Sequence, residues 1–197
     1  MKHTTTFQGW NIVGFSSIVI GAMVAVIWLF YGIDEQAMRM AIRATARTSC
    51  ILFLSAFVAS ALRRIWSNSF TAWLLKNRRY LGISMAVSHT YHAIALIGLW
   101  FATSGLTPKF DPGGTFGYLL LIAMTITSFE RPAALIGQRA WKILHTIGMH
   151  FFWLAFTLEF SLRIQQSMLI YLPLVILLVL AIMLRVVAPR MQRKFAS

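Results

Sequence analysis

Cysteine occurs once, as Cys50, and acidic residues only five times in 197 residues. A single thiol excludes an intrachain disulfide, a thiolate cluster and a cysteine-ligated iron–sulfur centre. The apolar segments supply no convincing Asp, Glu or Cys companion for their histidines either, so zinc is a poor match. No GxGxxG unit occurs, and with it the fingerprint of a dinucleotide-binding or flavin domain is missing. Internal repeats and low-complexity stretches are not evident. The opening MKHTTTFQGWN lacks the strongly basic start and small-residue cleavage site of a removable signal, so the first apolar run is expected to stay in the mature protein.

Hydrocarbon is what the chain has in quantity. Hydrophobic residues make up 58% and charged residues 12%, a balance foreign to soluble domains. The apolar runs approach or exceed the roughly 20 residues that cross ~30 Å of hydrocarbon at ~1.5 Å each. Six spans are expected at 10–31, 46–62, 80–103, 115–129, 141–162 and 168–188. The fourth is short and contains Thr125, Thr127 and Ser128, but without it the third and fifth would run in opposite directions. The expected fold class is an all-α membrane protein, a six-transmembrane-helix bundle over residues 10–188. A short cytoplasmic N-terminus (1–9) and a basic cytoplasmic tail (189–197) flank it.

The formal net charge of +13 does not point to nucleic acid, because its distribution follows the membrane. Arg39, Arg43, Arg47, Lys109 and Arg163 fall on one side; the remaining Lys and Arg cluster at the N-terminus, at 63–79, at 130–142 and in the tail. The positive-inside rule puts both termini in the cytoplasm. The same bias favours contact with anionic lipid. Of the connections, FTAWLLKNRR after Ser67, Asn68 and Ser69 is expected to form a short interfacial helix, and SGLTPKFDPGG an ordered turn. Glu130, Arg131 and Pro132 mark the end of the fourth span, and Arg139-Ala140-Trp141-Lys142 opens the fifth.

Four of the five histidines lie inside two apolar segments: His89 and His92 in the third span, His145 and His150 in the fifth. An ionisable ring at membrane depth costs free energy unless it has a partner or binds something. His89 and His92 are about 60° apart around a helix and share a face; His145 and His150 are about 140° apart and do not. Imidazoles from two helices in a dry interior point to a metal-centred cofactor, with b-type haem the natural candidate. Measured from Arg79 and Trp141, His89 and His92 lie about 15 and 20 Å in, and His145 and His150 about 6 and 14 Å in. Depth therefore pairs His89 with His150. The bland alternative is that these rings make interhelical hydrogen bonds in a packed bundle.

Other intramembrane groups have ordinary roles. Glu159 is placed to pair with Arg163 one turn on. Arg43 and Arg47 anchor the outer start of the second span, or hold a haem propionate. Phe152, Trp153, Phe156 and Phe160 follow His150 and serve packing against helices or lipid as readily as against a porphyrin.

The run Asn77-Arg78-Arg79-Tyr80-Leu81-Gly82 leads to Ser88-His89 and His92, and Trp141-Lys142-Ile143-Leu144-His145 opens the fifth span. Over about residues 46–165 the chain resembles the ferric reductase-like transmembrane family. That family includes the membrane cores of ferric reductases and NADPH oxidases and the haem-bearing subunit of the bacterial methionine sulfoxide reductase system. The resemblance implies a six-helix bundle with haem b between the third and fifth spans. His92, ten residues after Gly82, matches a haem-ligating histidine, and His145 matches the histidine of the WxxLH motif. These are the primary iron ligands, with His89 and His150 as alternatives. Leu158 stands where relatives often carry a further histidine, so one haem is implied, and a second only if His89 and His150 substitute.

A bis-histidine haem has no open axial position, which suits outer-sphere electron transfer. With no reductase domain in the sequence, electrons are expected from a quinol in the lipid bilayer or from a separate cytoplasmic flavoprotein. They would pass to an external acceptor or partner protein. The implied location is the bacterial inner (plasma) membrane. A non-redox scaffold or transporter-like protein with structural or proton-responsive histidines is the alternative; against a carrier, the spans show no matched pair of Gly- or Pro-broken helices.

Overall fold

A computed structural model describes residues 7–106 and 111–194. Among them the chain forms six α-helices and one 3-10 turn, and no strand. The helices are α1 (Trp10–Tyr31), α2 (Glu35–Ile65), α3 (Ser69–Ala102), α4 (Pro112–Ile126), α5 (Glu130–Leu162) and α6 (Met168–Lys194), with the 3-10 turn at Ile164–Gln166. Residues 1–6 of the expected N-terminal segment, 107–110 of the SGLTPKFDPGG connection and 195–197 of the tail lie outside the described residues.

Local chemistry sets the helix limits. Gly32 stops α1 at φ 79°, its amide donating to the Trp28 carbonyl at 2.9 Å, a left-handed exit that costs glycine nothing. Asp34 then starts α2 by accepting the Ala37 amide at 2.8 Å, and Asn68 starts α3 by accepting the Thr71 amide at 2.9 Å. Asp111 accepts the Gly114 amide at 2.8 Å ahead of α4, where Pro112 gives up an N–H that had no helical partner.

Five helices, α1, α2, α3, α5 and α6 over Met168–Pro189, are long and apolar enough to cross a bilayer. Large apolar side chains lie exposed along them, Ile18 at 73% and Leu29 at 83% on α1 and Leu169 at 91% on α6. Such surface is stable against lipid and not against water. The chain is an all-α, multi-pass membrane protein.

Four features depart from the sequence expectation. FTAWLLKNRR is no separate interfacial helix but the start of α3, which runs unbroken for 34 residues, about 51 Å. Asn77, the residue best placed to break it, is buried and donates its side-chain amide to the Trp73 carbonyl at 2.9 Å. The second span is likewise the middle of a 31-residue helix, so Arg43 and Arg47, at the outer start of the expected span, are preceded by further turns of α2. The fourth apolar segment forms a helix of only 15 residues, about 22 Å, short of a full crossing. The fifth helix begins at Glu130, and Gly137 (φ 77°, ψ 159°) bends it ahead of Trp141.

The helices divide into two compact units, Met1–Phe53 with Tyr80–Phe116, and Leu54–Arg79 with Gly117–Ser197. In the first, Ala37, Ala41, Thr45, Ser49 and Phe53 form a fully buried row at four-residue spacing on α2. Small side chains let helix backbones approach closely, the usual basis of packing where lipid removes any hydrophobic drive between helices. Ser88 of α3 accordingly reaches the Thr45 carbonyl at 3.1 Å. A Cβ at Gly98 of α3 would meet Met38 Sδ at 2.7 Å, and one at Gly21 of α1 would meet the Tyr91 hydroxyl at 2.8 Å.

In the second unit, Phe152, Phe156 and Phe160 of α5 are buried, as are Tyr171, Leu174 and Leu178 of α6. Trp153 donates its indole N–H to the Leu178 carbonyl at 2.9 Å. The tightest approach is α4 on α5, where a Cβ on Gly148 would overlap Met124 Sδ. Gly148→Val is expected to destabilise the protein by about 1–3 kcal/mol through overpacking. Met124→Ala in the same chain should recover part of that loss, read as a non-additive double-mutant cycle in thermal unfolding in detergent.

Candidate functional site

The histidines of α3 lie in the first unit. His89 and His92 sit on one face, as their spacing predicts, with ring centroids 5.6 Å apart. His92 is half-buried, and its Nδ1 lies 3.1 Å from the Ile42 carbonyl and 3.1 Å from Thr45 Oγ1, both on α2. A carbonyl only accepts, so Nδ1 carries the proton. Thr45 gives its own hydroxyl proton to the Ala41 carbonyl at 2.7 Å, leaving its oxygen as a second acceptor for the same N–H. The neutral ring therefore has its lone pair on Nε2. His89, one turn earlier, has the Met85 backbone as a polar partner.

The histidines of α5 lie in the second unit and face different neighbours. His150 donates Nδ1–H to the Thr146 carbonyl at 2.7 Å, which again puts the lone pair on Nε2. Its ring stands edge-on to Phe57 of α2 at 6.0 Å. Phe57 in turn lies 4.3 Å beneath the Arg185 guanidinium of α6, which donates to the Phe57 carbonyl at 2.9 Å. His145 has the opposite tautomer. Its Nε2 lies 3.1 Å from Thr127 Oγ1, and with the Thr127 proton on the Ala123 carbonyl at 2.7 Å the arrangement is one in which Nε2 donates. Trp141 stacks on the His145 ring at 4.4 Å and donates its indole N–H to the Thr127 carbonyl at 2.8 Å.

Haem iron takes a neutral imidazole nitrogen whose partner nitrogen is held by a carbonyl or carboxylate, which fixes ring orientation and raises ligand basicity. His92 and His150 meet that condition through Nε2. His145, bonded as it is to Thr127, presents Nδ1 instead. These partners escape sequence reasoning: Thr45 and Thr127 look like ordinary intramembrane threonines, and only the buried row at four-residue spacing on α2 marks the first of them. Glu159 and Arg163 form the i,i+4 pair their spacing predicts, Arg163 Nε donating to Oε1 at 2.7 Å, at the exposed end of α5. Of the two residues from which depth was measured, Arg79 lies inside α3 and Trp141 follows the Gly137 bend of α5.

Comparison with protein-family models, with curated proteins and with solved structures returns no match to this chain.

The tautomers give a direct test. In ligand-free protein with 15N-labelled histidine, His92 and His150 are expected as Nδ1–H rings and His145 as an Nε2–H ring. Thr127→Val should shift the ring-nitrogen resonances of His145 alone and cost about 1 kcal/mol of stability, the worth of one intramolecular hydrogen bond.

Proposed function

We propose that the chain is a haem b-binding membrane electron-transfer protein of the ferric reductase-like kind. In this proposal it is a six-span bundle with both termini in the cytoplasm of a bacterial inner-membrane protein. The observation that supports it most is the setting of His92. Two acceptors on α2, the Ile42 carbonyl and the Thr45 hydroxyl oxygen, hold Nδ1–H at 3.1 Å each. That hold leaves Nε2 as the basic nitrogen before any ligand arrives.

His92 and His145 are the proposed ligands by the resemblance, with His89 and His150 as alternatives. For His145 to act through Nε2 the Thr127 hydroxyl must give up its bond; His150 needs no such exchange. The bound haem would supply one-electron transfer. The chain's own part is to orient the imidazoles, keep water from them and hold the proton of His92 on Nδ1. A quinol or a separate cytoplasmic flavoprotein would donate the electrons, and an external acceptor or partner would receive them.

A specific observation also favours a structural role for one ring. His145, Trp141 and Thr127 form a closed set of contacts joining the end of α4 to α5. That is what interhelical histidines do in membrane bundles without cofactors, and it is the core of the non-redox scaffold alternative.

Protein produced with ample haem is expected to show a Soret band and low-spin b-type bands in its reduced spectrum. His92→Ala should abolish the low-spin signature, and Thr45→Val should lower haem affinity about tenfold by removing one of the two Nδ1 acceptors. Single alanine variants at 89, 145 and 150 then assign the second ligand. Absence of a Soret band in well-folded wild-type protein would sink the haem proposal and leave the scaffold.

A further inference from the structure

At the basic end of the second unit, Ser60, Arg63, Arg64, Leu75 and Arg78 line a shallow cavity of about 410 Å³ that is open to the outside. Arg63 and Arg64 come from the last turn of α2 and Arg78 from the first half of α3. Arg185 of α6 lies close enough for the charges of Arg64 and Arg78 to act on it.

Three arginines line the cavity and a fourth, Arg185, feels the charge of two of them, and among the described residues no carboxylate pairs with any of the four. The two ion pairs found there are Arg39 with Glu35 and Arg163 with Glu159. Three of the four are positioned by a single hydrogen bond. Arg63 donates to the Asn68 carbonyl at 3.0 Å, Arg78 to Ser60 Oγ at 3.0 Å and Arg185 to the Phe57 carbonyl at 2.9 Å. Each guanidinium has five N–H donors, so each keeps most of them for a ligand. Compensation of the α2 dipole accounts for cations in its last turn but not for Arg78 on α3 or Arg185 on α6.

We propose that this cavity binds a phosphate group, presented by the headgroup of an anionic phospholipid. Phosphate matches the planar guanidinium fork and the clustered positive charge. Leu75 adds an apolar wall, and the site lies where the apolar run of α2 gives way to arginine, at headgroup level. Basic pockets between membrane helices recognise lipid headgroups on this physical basis. The proposal stands independently of haem.

The test uses the full chain in uncharged detergent, titrated with short-chain phosphatidylglycerol, phosphatidylcholine or inorganic phosphate, with the thermal-unfolding midpoint as readout. Phosphatidylglycerol is expected to raise the midpoint, and R64Q/R78Q to weaken its apparent affinity about tenfold or more. R131Q/R139Q removes the same charge from exposed positions outside the cavity and should have little effect. Should the cavity double variant fail to fold, R64Q alone, at an exposed side chain, carries the test with a several-fold loss. A response to inorganic phosphate with the same arginine dependence assigns the site to the free anion, and a response to phosphatidylglycerol alone assigns it to the headgroup. Equal loss in R131Q/R139Q, or equal stabilisation by phosphatidylcholine, overturns the proposal.

Discussion

A hydroxyl inside a bilayer has no water to receive its proton, and at nine positions of this chain it gives that proton to its own helix. Ser17, Thr45, Thr48, Thr90, Thr103, Thr125, Thr127, Ser128 and Thr157 all donate to the carbonyl four residues back. The donation settles one polar group and exposes another, because the oxygen is now an acceptor alone. Where such an oxygen faces a neighbouring helix it must receive an N–H or stay unsatisfied at a cost of about 1–3 kcal/mol. Thr45 and Thr127 are in that position, and each receives it from an imidazole.

Tautomer is thereby decided by backbone geometry before any cofactor enters. His92 meets an acceptor with Nδ1 and His145 with Nε2, so two rings in similar apolar surroundings end with opposite lone pairs. His150, one turn and a half beyond His145, settles its Nδ1 on its own helix at Thr146. A sequence motif records a residue type at a spacing and carries no information about a threonine on another helix. That is why the motif selects His145 while the hydrogen bonds present His150 as the better-prepared donor. A ligand's affinity would have to exceed the His145–Thr127 bond, whereas at His150 it competes with nothing on Nε2 that the structure displays.

Hydropathy made the membrane class and the approximate positions of five helices legible, since lipid demands long apolar runs with few exceptions. It did not reveal their full lengths. Asn77, Arg43 and Arg47 look like boundary residues, yet a helix that extends beyond hydrocarbon keeps its hydrogen bonds through them, and Asn77 bonds backward to Trp73. Gly137 reads as an ordinary glycine until its φ of 77° places a kink there, parting the turns that begin at Glu130 from those that carry Trp141. The shared face of His89 and His92 followed from helical geometry alone. Their partners did not, because a contact forty-seven residues away, His92 on Thr45, depends on how α2 and α3 pack.

The excess length of α2 and α3 also explains the placement of charge in the second unit. About 20 residues satisfy the hydrocarbon, so helices of 31 and 34 residues have turns to spare beyond a single apolar run. Arg63, Arg64 and Arg78 occupy those turns, where a guanidinium retains water or phosphate while its stem packs on apolar surface. Arg185 of α6 donates to the Phe57 carbonyl and lies over the Phe57 ring. A cation so held is fixed in direction while the like charges of Arg64 and Arg78 act against it. The geometry that lets these long helices end in arginine also brings together the cations on which the proposed anion site rests.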